Sequence, residues 1–194
     1  MSHLSYSGGF FIIKMKNDIQ ILSSKDIEKK LIRISHEIIE NHNDIDNIVI
    51  LGIHNRGVPI AQRIKKNILK ITNIDIPLGS LDITFHRDDF RERLLIPEIR
   101  ETNISFSLDD KVVILVDDVL YSGRTIRAAL DEINSFGRPS LVRLAVLIDR
   151  GHRELPIRAD FIGKNIPTNS GEHVDVRLQE SDNDEGVFLV KNVD

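Results

Sequence analysis

Fourteen residues, Val112 to Thr125, constrain this chain more than any others: Val-Val-Ile-Leu-Val-Asp-Asp-Val-Leu-Tyr-Ser-Gly-Arg-Thr. The apolar, mostly β-branched run at the front reads as a buried parallel strand. Asp117 and Asp118 stand where that run ends, and a turn of small and hydroxyl residues (Ser122, Gly123, Thr125) leads into an amphipathic helix. In open α/β sheets, ligands bind beyond the carboxyl ends of the strands, with phosphate at the next helix N-terminus. Backbone N–H groups of residues 122 to 125 can hold one phosphate, and Thr125 can add a hydroxyl. Two carboxylates cannot bind phosphate, so they must face a metal or sugar hydroxyls. A strand ending in two aspartates also occurs in nucleotide hydrolases and phospho-acceptor domains. The Ser-Gly-Arg-Thr turn favours instead a ligand with a 5-phosphate and free ribose hydroxyls.

The rest of the chain supplies parts that suit such a site. Ser23 or Ser24 can cap a helix whose apolar stripe is Ile27, Leu31, Ile34 and Ile38. Residues 47 to 53 read as the first core strand. His54-Asn55-Arg56-Gly57 follows, then a helix to about Lys70, with Pro59 tolerated near its first turn. Arg56 can meet diphosphate oxygens by charge-assisted hydrogen bonds, so the two loops read as cradles for the two ends of one ligand. Residues 74 to 83 are expected to form a strand. The charge-dense stretch 84–108 reads as a lid that shields a reactive centre from water, with Arg87 closing over the pyrophosphate. A helix over 124–135, capped by Gly137, precedes a strand over 141–148, a basic loop over 149–158, a short strand at Phe161–Gly163 and a terminal β-hairpin.

At 194 residues the chain fits one domain, taken as 15–194, with residues 1–14 as an extension. It has no cysteine, which excludes disulfide and thiolate chemistry, and its net charge of −4 gives no global argument for nucleic acid. No apolar run approaches the roughly 20 residues that span a bilayer, and Met1–Phe11 lacks a basic leader region. A cytoplasmic protein is the simple expectation.

The Val112–Thr125 motif resembles the signature of the type I phosphoribosyltransferases, which bind phosphoribosyl pyrophosphate (PRPP). That resemblance implies an α/β fold, with a central, mostly parallel twisted sheet flanked by helices, a small hood or lid and the C-terminal hairpin. Further strings narrow it: Leu81–Thr84 with Arg87-Asp88-Asp89, Leu115–Asp131, Phe136–Pro139, Ile148–Asp160 and Gly163–Thr168 together resemble the bacterial PyrR family. Its members are pyrimidine operon attenuators that also act as uracil phosphoribosyltransferases. The likeness implies formation of UMP and diphosphate from uracil and PRPP with Mg²⁺, held mainly through substrate oxygens and waters. It places Asp117 and Asp118 on the ribose hydroxyls and Val119, Leu120, Tyr121, Ser122, Gly123, Arg124 and Thr125 around the 5-phosphate. Asn55 and Arg56 match the diphosphate loop, which often carries a strained peptide bond in the family, and Arg150 and Val174 lie near the same ligand.

The resemblance also implies binding of leader mRNA, sensitive to uridine nucleotides such as UMP and UTP, through His36, Arg150, His152, Arg153, Arg158 and Lys164. From Arg138 to Lys164 there are six Lys/Arg against three Asp/Glu, a local positive excess within an acidic chain. Relatives form dimers and larger assemblies, so a homo-oligomer is expected. Some positions depart from the family pattern. Ile32 stands where a hydroxyl residue is common, His54-Asn55 replaces Lys/Arg-Thr before Arg56, and His86 replaces a Tyr. An active enzyme, a chiefly RNA-binding regulator that uses the site as a nucleotide sensor, and a salvage enzyme without RNA binding are the readings that stay open.

Overall fold

The computed structural model of the chain describes residues 18–83, 101–169 and 171–191. The proposed extension 1–14 and Arg87 lie outside the described residues. The elements in order are β1 (Ile19–Ser23), α1 (Ser24–Glu40), a 3₁₀ turn (Ile45–Asn47), β2 (Ile48–Ile53), α2 (Gly57–Thr72), β3 (Leu78–Leu81), β4 (Val112–Leu120), α3 (Arg124–Phe136), β5 (Leu141–Asp149), β6 (Phe161–Asn165), β7 (Glu172–Arg177), α4 (Gln179–Asp182) and β8 (Gly186–Lys191).

Five strands form a parallel sheet in the order β3-β2-β4-β5-β6. Because side chains alternate across a strand, each strand feeds two cores. Ile48, Ile50, Ile114, Val116, Ala145 and Leu147 point to the side covered by α1 and α2. Val49, Leu51, Val113, Leu115, Leu144 and Val146 point to the side covered by α3. Continuous apolar runs are required of strands buried on both faces, which is why they could be read directly.

Local chemistry sets the helix ends. Ser23 Oγ accepts from the Asp26 N–H at 3.3 Å while the Asp26 carboxylate accepts from the Ser23 N–H at 3.1 Å, a reciprocal cap on α1. Helix α2 stops at Asn73 in the left-handed region (φ 60°). Helix α3 starts at Gly123 (φ 94°), a conformation that a side chain resists.

The structure refines three expectations. The strand expected over 74–83 is paired only from Leu78, because Pro77 brings no N–H to the ladder and contributes only its carbonyl, which accepts from Ile50 N at 2.9 Å. The terminal hairpin, β7 with β8, carries a third strand, since β1 pairs antiparallel with β8 and makes a small hood in the order β1-β8-β7. No local pattern announces β1, whose partner lies at the other end of the chain. The far end of the stretch read as a lid is packed. Asn103 exchanges backbone hydrogen bonds with Ser80 at 3.0 and 2.9 Å, and Leu108 is buried.

Among the described residues, no helix is long and apolar enough to cross a membrane.

Candidate functional site

The strand order dictates where a ligand can enter. From β2 the chain steps outward to β3, while from β4 it steps the other way to β5 and β6. The carboxyl ends of β2 and β4 therefore flank the switch point of the sheet, where the two outgoing connections diverge and leave a crevice. The loop 54–56 leaves β2 there and the acid pair and turn leave β4 there.

Strand β4 runs further than its sequence implies. Its pairing with β2 ends at Gly52 opposite Val116, but its pairing with β5 continues to Leu120 opposite Asp149. Asp117 and Asp118 are thus on a strand segment whose β2 side has opened, rather than in the loop beyond it. Asp117 is buried, at 6 % exposure. Its Oδ1 accepts from the Asp118 N–H at 2.9 Å, and Asp118 Oδ1 accepts from the Val119 N–H at 2.8 Å. Burial pushes the Asp118 carboxyl above the ordinary carboxylate range, opposed by the nearby positive charge of Arg56. That electrostatic contact ties the two loops together at one point. A Cβ on Gly57 would overlap the Val116 carbonyl oxygen, so glycine there is what lets the β2 loop and α2 sit against β4.

The β2 loop has a cis peptide between His54 and Asn55. Arg56 does not stand free in it. Its Nε and Nη2 donate to the two carboxylate oxygens of Asp182, in the turn between β7 and β8, at 3.1 and 2.8 Å. Two helical turns along α2, Arg63 donates to both oxygens of Glu180 at 2.8 and 2.6 Å and also pairs with Glu185. Those partners hold both guanidinium groups more strongly protonated than usual, chiefly through the hydrogen bonds that Arg56 donates to Asp182 and Arg63 donates to Glu180. Asn55, Arg56, Glu180, Ser181 and Asp182 line a polar cavity of about 310 Å³. Nothing in the sequence pointed to this clasp: Asp182 sits in an acidic, turn-forming run, and its partner is 126 residues away.

The turn after β4 is braced from behind by the basic loop. Ser122 O accepts from the N–H groups of Glu154 and Leu155 at 3.0 and 3.1 Å, and Arg150 N donates to Leu120 O at 2.9 Å. Arg153 spends its guanidinium within the fold. It bonds Ile157 O at 3.0 Å, Leu120 O at 3.3 Å, Tyr121 O at 2.7 Å, Gly151 O at 3.1 Å and the Asp149 carboxylate at 2.5 Å. Arg124 Nε pairs with Glu154 at 2.7 Å. Gly123, at the N-cap of α3, has no side chain to cap it, and Ser122 Oγ accepts from the Arg124 N–H at 3.4 Å.

The residues expected to face RNA separate into two groups. His36, His152, Arg158 and Lys164 are exposed, and the α1 turn bearing His36 lies beside β6, held there by Arg33 donating to the carbonyls of Ile162 and Gly163 at 2.6 and 2.9 Å. Arg150 and Arg153 are turned inward instead. Arg150 stacks over the Tyr121 ring at 4.0 Å and donates to Thr168 Oγ1 at 2.8 Å and to Glu172 O. His152 Nε2 bonds Thr168 O at 2.7 Å. Val174 is half-buried on β7 and packs, with Val119, on the core beneath α1 and α2.

Residues 19–181 match the family of the phosphoribosyl transferase domain. A "Bifunctional protein PyrR" from Pelotomaculum thermopropionicum is 53% identical over 175 residues, which cover 90% of this chain and 97% of that protein. The protein of the same description from Deinococcus radiodurans is 53% identical over 169 residues, covering 87% and 92%. Among solved structures, a hypoxanthine-guanine phosphoribosyltransferase from Bacillus anthracis superposes with a TM-score of 0.67 over 89% of this chain and 98% of that one, at 16% identity. A hypoxanthine phosphoribosyltransferase from Staphylococcus aureus gives 0.66 over 90% and 92%, at 17% identity. At that distance the structures speak for the fold alone, which is the type I phosphoribosyltransferase fold. The half-to-half sequence match, nearly end to end, speaks for the family: the chain belongs to the PyrR family of bifunctional proteins.

Proposed function

We propose that this chain makes UMP and diphosphate from uracil and PRPP, and that it binds the leader RNA of pyrimidine genes in response to uridine nucleotides. The observation that supports the enzymatic half is the meeting of two unlike loops at the sheet's switch point. Arg56 lies close enough to Asp118 for each charge to shift the other.

PRPP has a 5-phosphate at one end, two ribose hydroxyls in the middle and a diphosphate on C1. The turn 119–125, from Val119 through Leu120, Tyr121, Ser122, Gly123, Arg124 and Thr125, receives the 5-phosphate on backbone N–H groups and the Thr125 hydroxyl. Asp117 and Asp118 accept hydrogen bonds from the ribose hydroxyls. Asn55 and Arg56 receive the diphosphate, with Arg150 and Val174 nearer the base. In the reaction the C1–O bond to diphosphate breaks, the bond from C1 to the uracil nitrogen forms, and that nitrogen's proton is released. The protein contributes position and charge: two reactants held in line, and a guanidinium beside the leaving oxygens.

Phosphoribosyltransferases generally use Mg²⁺ with PRPP. Among the described residues no group of three or more acidic or histidine side chains could enclose a cation. The Asp117–Asp118 pair suits an ion whose other ligands are PRPP oxygens and water, as this small, strongly hydrated cation prefers. Bound so, Mg²⁺ would supply positive charge beside the departing diphosphate.

The RNA half rests on the exposed group His36, His152, Arg158 and Lys164, with Arg150 and Arg153 building the loop that presents it. Phosphate contacts supply affinity, and unpaired loop bases supply specificity. The reading sets the protein in the cytoplasm, where nucleotide salvage and transcription take place, and as a homodimer or larger assembly. Incubation with labelled uracil, PRPP and Mg²⁺ is expected to give labelled UMP; no product at any protein concentration would overturn the enzyme. Filter binding to the native leader, with and without UMP, is expected to show retention that UMP changes. No retention in either arm would overturn the regulator.

A further inference from the structure

The Arg56–Asp182 contact has a geometry that assigns Asp182 work in the reaction itself. A guanidinium offers two bidentate edges. Asp182 takes the side edge, Nε with Nη2, and among the described residues Nη1 has no hydrogen-bond partner. A planar fork held along one edge can no longer rotate about its long stem, so its remaining edge is fixed in direction. Asp182 is itself immobilised. Its Oδ2 also accepts from Leu178 N at 3.0 Å, its own N–H donates to Leu178 O at 2.8 Å, and the turn that carries it is clamped to α2 by Arg63 through Glu180 and Glu185. The Arg56 side chain is one-third exposed and lines the polar cavity together with Asn55.

We infer that Asp182 is a positioning residue for PRPP: it holds Arg56 so that the Nη1 edge faces the diphosphate. This rests on the reading that Arg56 meets the diphosphate. The contact could serve the opposite end, since a carboxylate on an arginine can act as a decoy that PRPP must displace. Geometry favours positioning, because the edge best suited to two oxygens of a phosphate, Nη1 with Nη2, is left half unused.

The test compares ligands that do and do not carry the diphosphate. Binding of PRPP, inorganic diphosphate and UMP is measured for the wild-type chain, Asp182→Asn, Asp182→Glu and Arg56→Lys, together with KM and kcat. Asp182→Asn is expected to weaken PRPP and diphosphate at least about tenfold, the scale of a charge-assisted hydrogen-bond pair, and to leave UMP affinity and thermal midpoint nearly unchanged. Asp182→Glu should recover part of the loss. Tighter PRPP binding in Asp182→Asn would overturn the inference in favour of the decoy. Equal losses for UMP and PRPP would overturn it in favour of a purely structural turn, as would no change at all. Arg56→Lys separates this from the underlying reading: if it leaves diphosphate affinity intact, Arg56 does not meet the diphosphate, and both fall. If it weakens diphosphate while Asp182→Asn does not, only the role of Asp182 falls.

Discussion

Two loops meet at one end of the sheet, and they are held there by different means. The turn after β4 is braced by the basic loop after β5, the neighbouring strand, largely through its own backbone carbonyls: Leu120, Tyr121 and Ser122 all accept hydrogen bonds from residues 150 to 155. The loop after β2 is held by side-chain ion pairs from the hood, Arg56 with Asp182 and Arg63 with Glu180 and Glu185. The first brace rests on backbone donors at residues 150, 154 and 155 and on one side chain, Arg153, whereas the ion-pair brace depends throughout on charged side chains and on pH. In the proposed reaction, the first would suit a rigid cradle for the 5-phosphate, and the second a group that must meet diphosphate and let it go.

Each of four changes would sharpen or break that contrast. The largest effect is expected at the acid pair. Asp118→Asn keeps the shape but removes the charge set against Arg56, and turnover with PRPP should fall by about 10² or more, on the scale of other preorganised electrostatic groups; unchanged kcat/KM would remove Asp118 from the site.

Gly57→Ala should cost about 3 kcal/mol of stability, because its methyl must push aside the Val116 carbonyl inside a packed sheet. Denaturant unfolding measures it, and a wild-type midpoint would show that the β2 loop is not seated against β4 as described. Arg153→Ala should cost about 2 kcal/mol by leaving the Asp149 carboxylate and the carbonyls of Leu120 and Tyr121 short of donors. The same variant should weaken UMP more than diphosphate, since it loosens only the phosphate turn; the reverse order would break the comparison.

The smallest effect is on pH dependence. Burial acts to raise the Asp182 carboxyl, but the hydrogen bonds from Arg56 and the Leu178 N–H, together with the charges of Arg56 and Arg177, outweigh it and hold Asp182 below the ordinary range; the hydrogen bonds from Arg63 lead in lowering Glu180. Their folded-state values lie below the unfolded ones. The clasp therefore contributes fully above roughly pH 4, where unfolded carboxylates are ionised, and is lost as pH falls through the lowered folded values. Asp118 has the opposite sign: its raised value means that ionised Asp118 costs stability at neutral pH, and acid relieves the cost. Hydrogen exchange on acidification should release residues 179–182 before the backbone of residues 120–122, by about 1 kcal/mol or less. Simultaneous release would mean that both loops share one brace.

The same contrast explains what could be read in advance. The five-stranded sheet, its covering helices and the turn after β4 were legible because each is written locally. Val112–Val116 and Leu144–Ile148 are apolar runs that only a doubly covered strand tolerates. Ser23 with Asp26 is a cap spelled within four residues. Gly123, with its positive φ, marks where α3 begins. The acid pair was found for the same reason, although its place on a continuing strand was not, since the end of a ladder depends on when the neighbouring strand turns away.

Arg153 shows the limit. In the sequence it belongs to a basic loop and reads as a surface charge, while in the fold it faces inward and holds five acceptors. By itself, then, the sequence determined the class of fold, the family and the run of strand, acid pair and turn to which the ribose-phosphate role is proposed, because those features lie in adjacent residues. Tertiary structure alone decided the partners of Arg56, the third strand of the hood and the inward turn of Arg150 and Arg153. Each of those depends on groups brought together from distant parts of the chain, and no local pattern of apolar spacing, caps or turns encodes which charge will meet which.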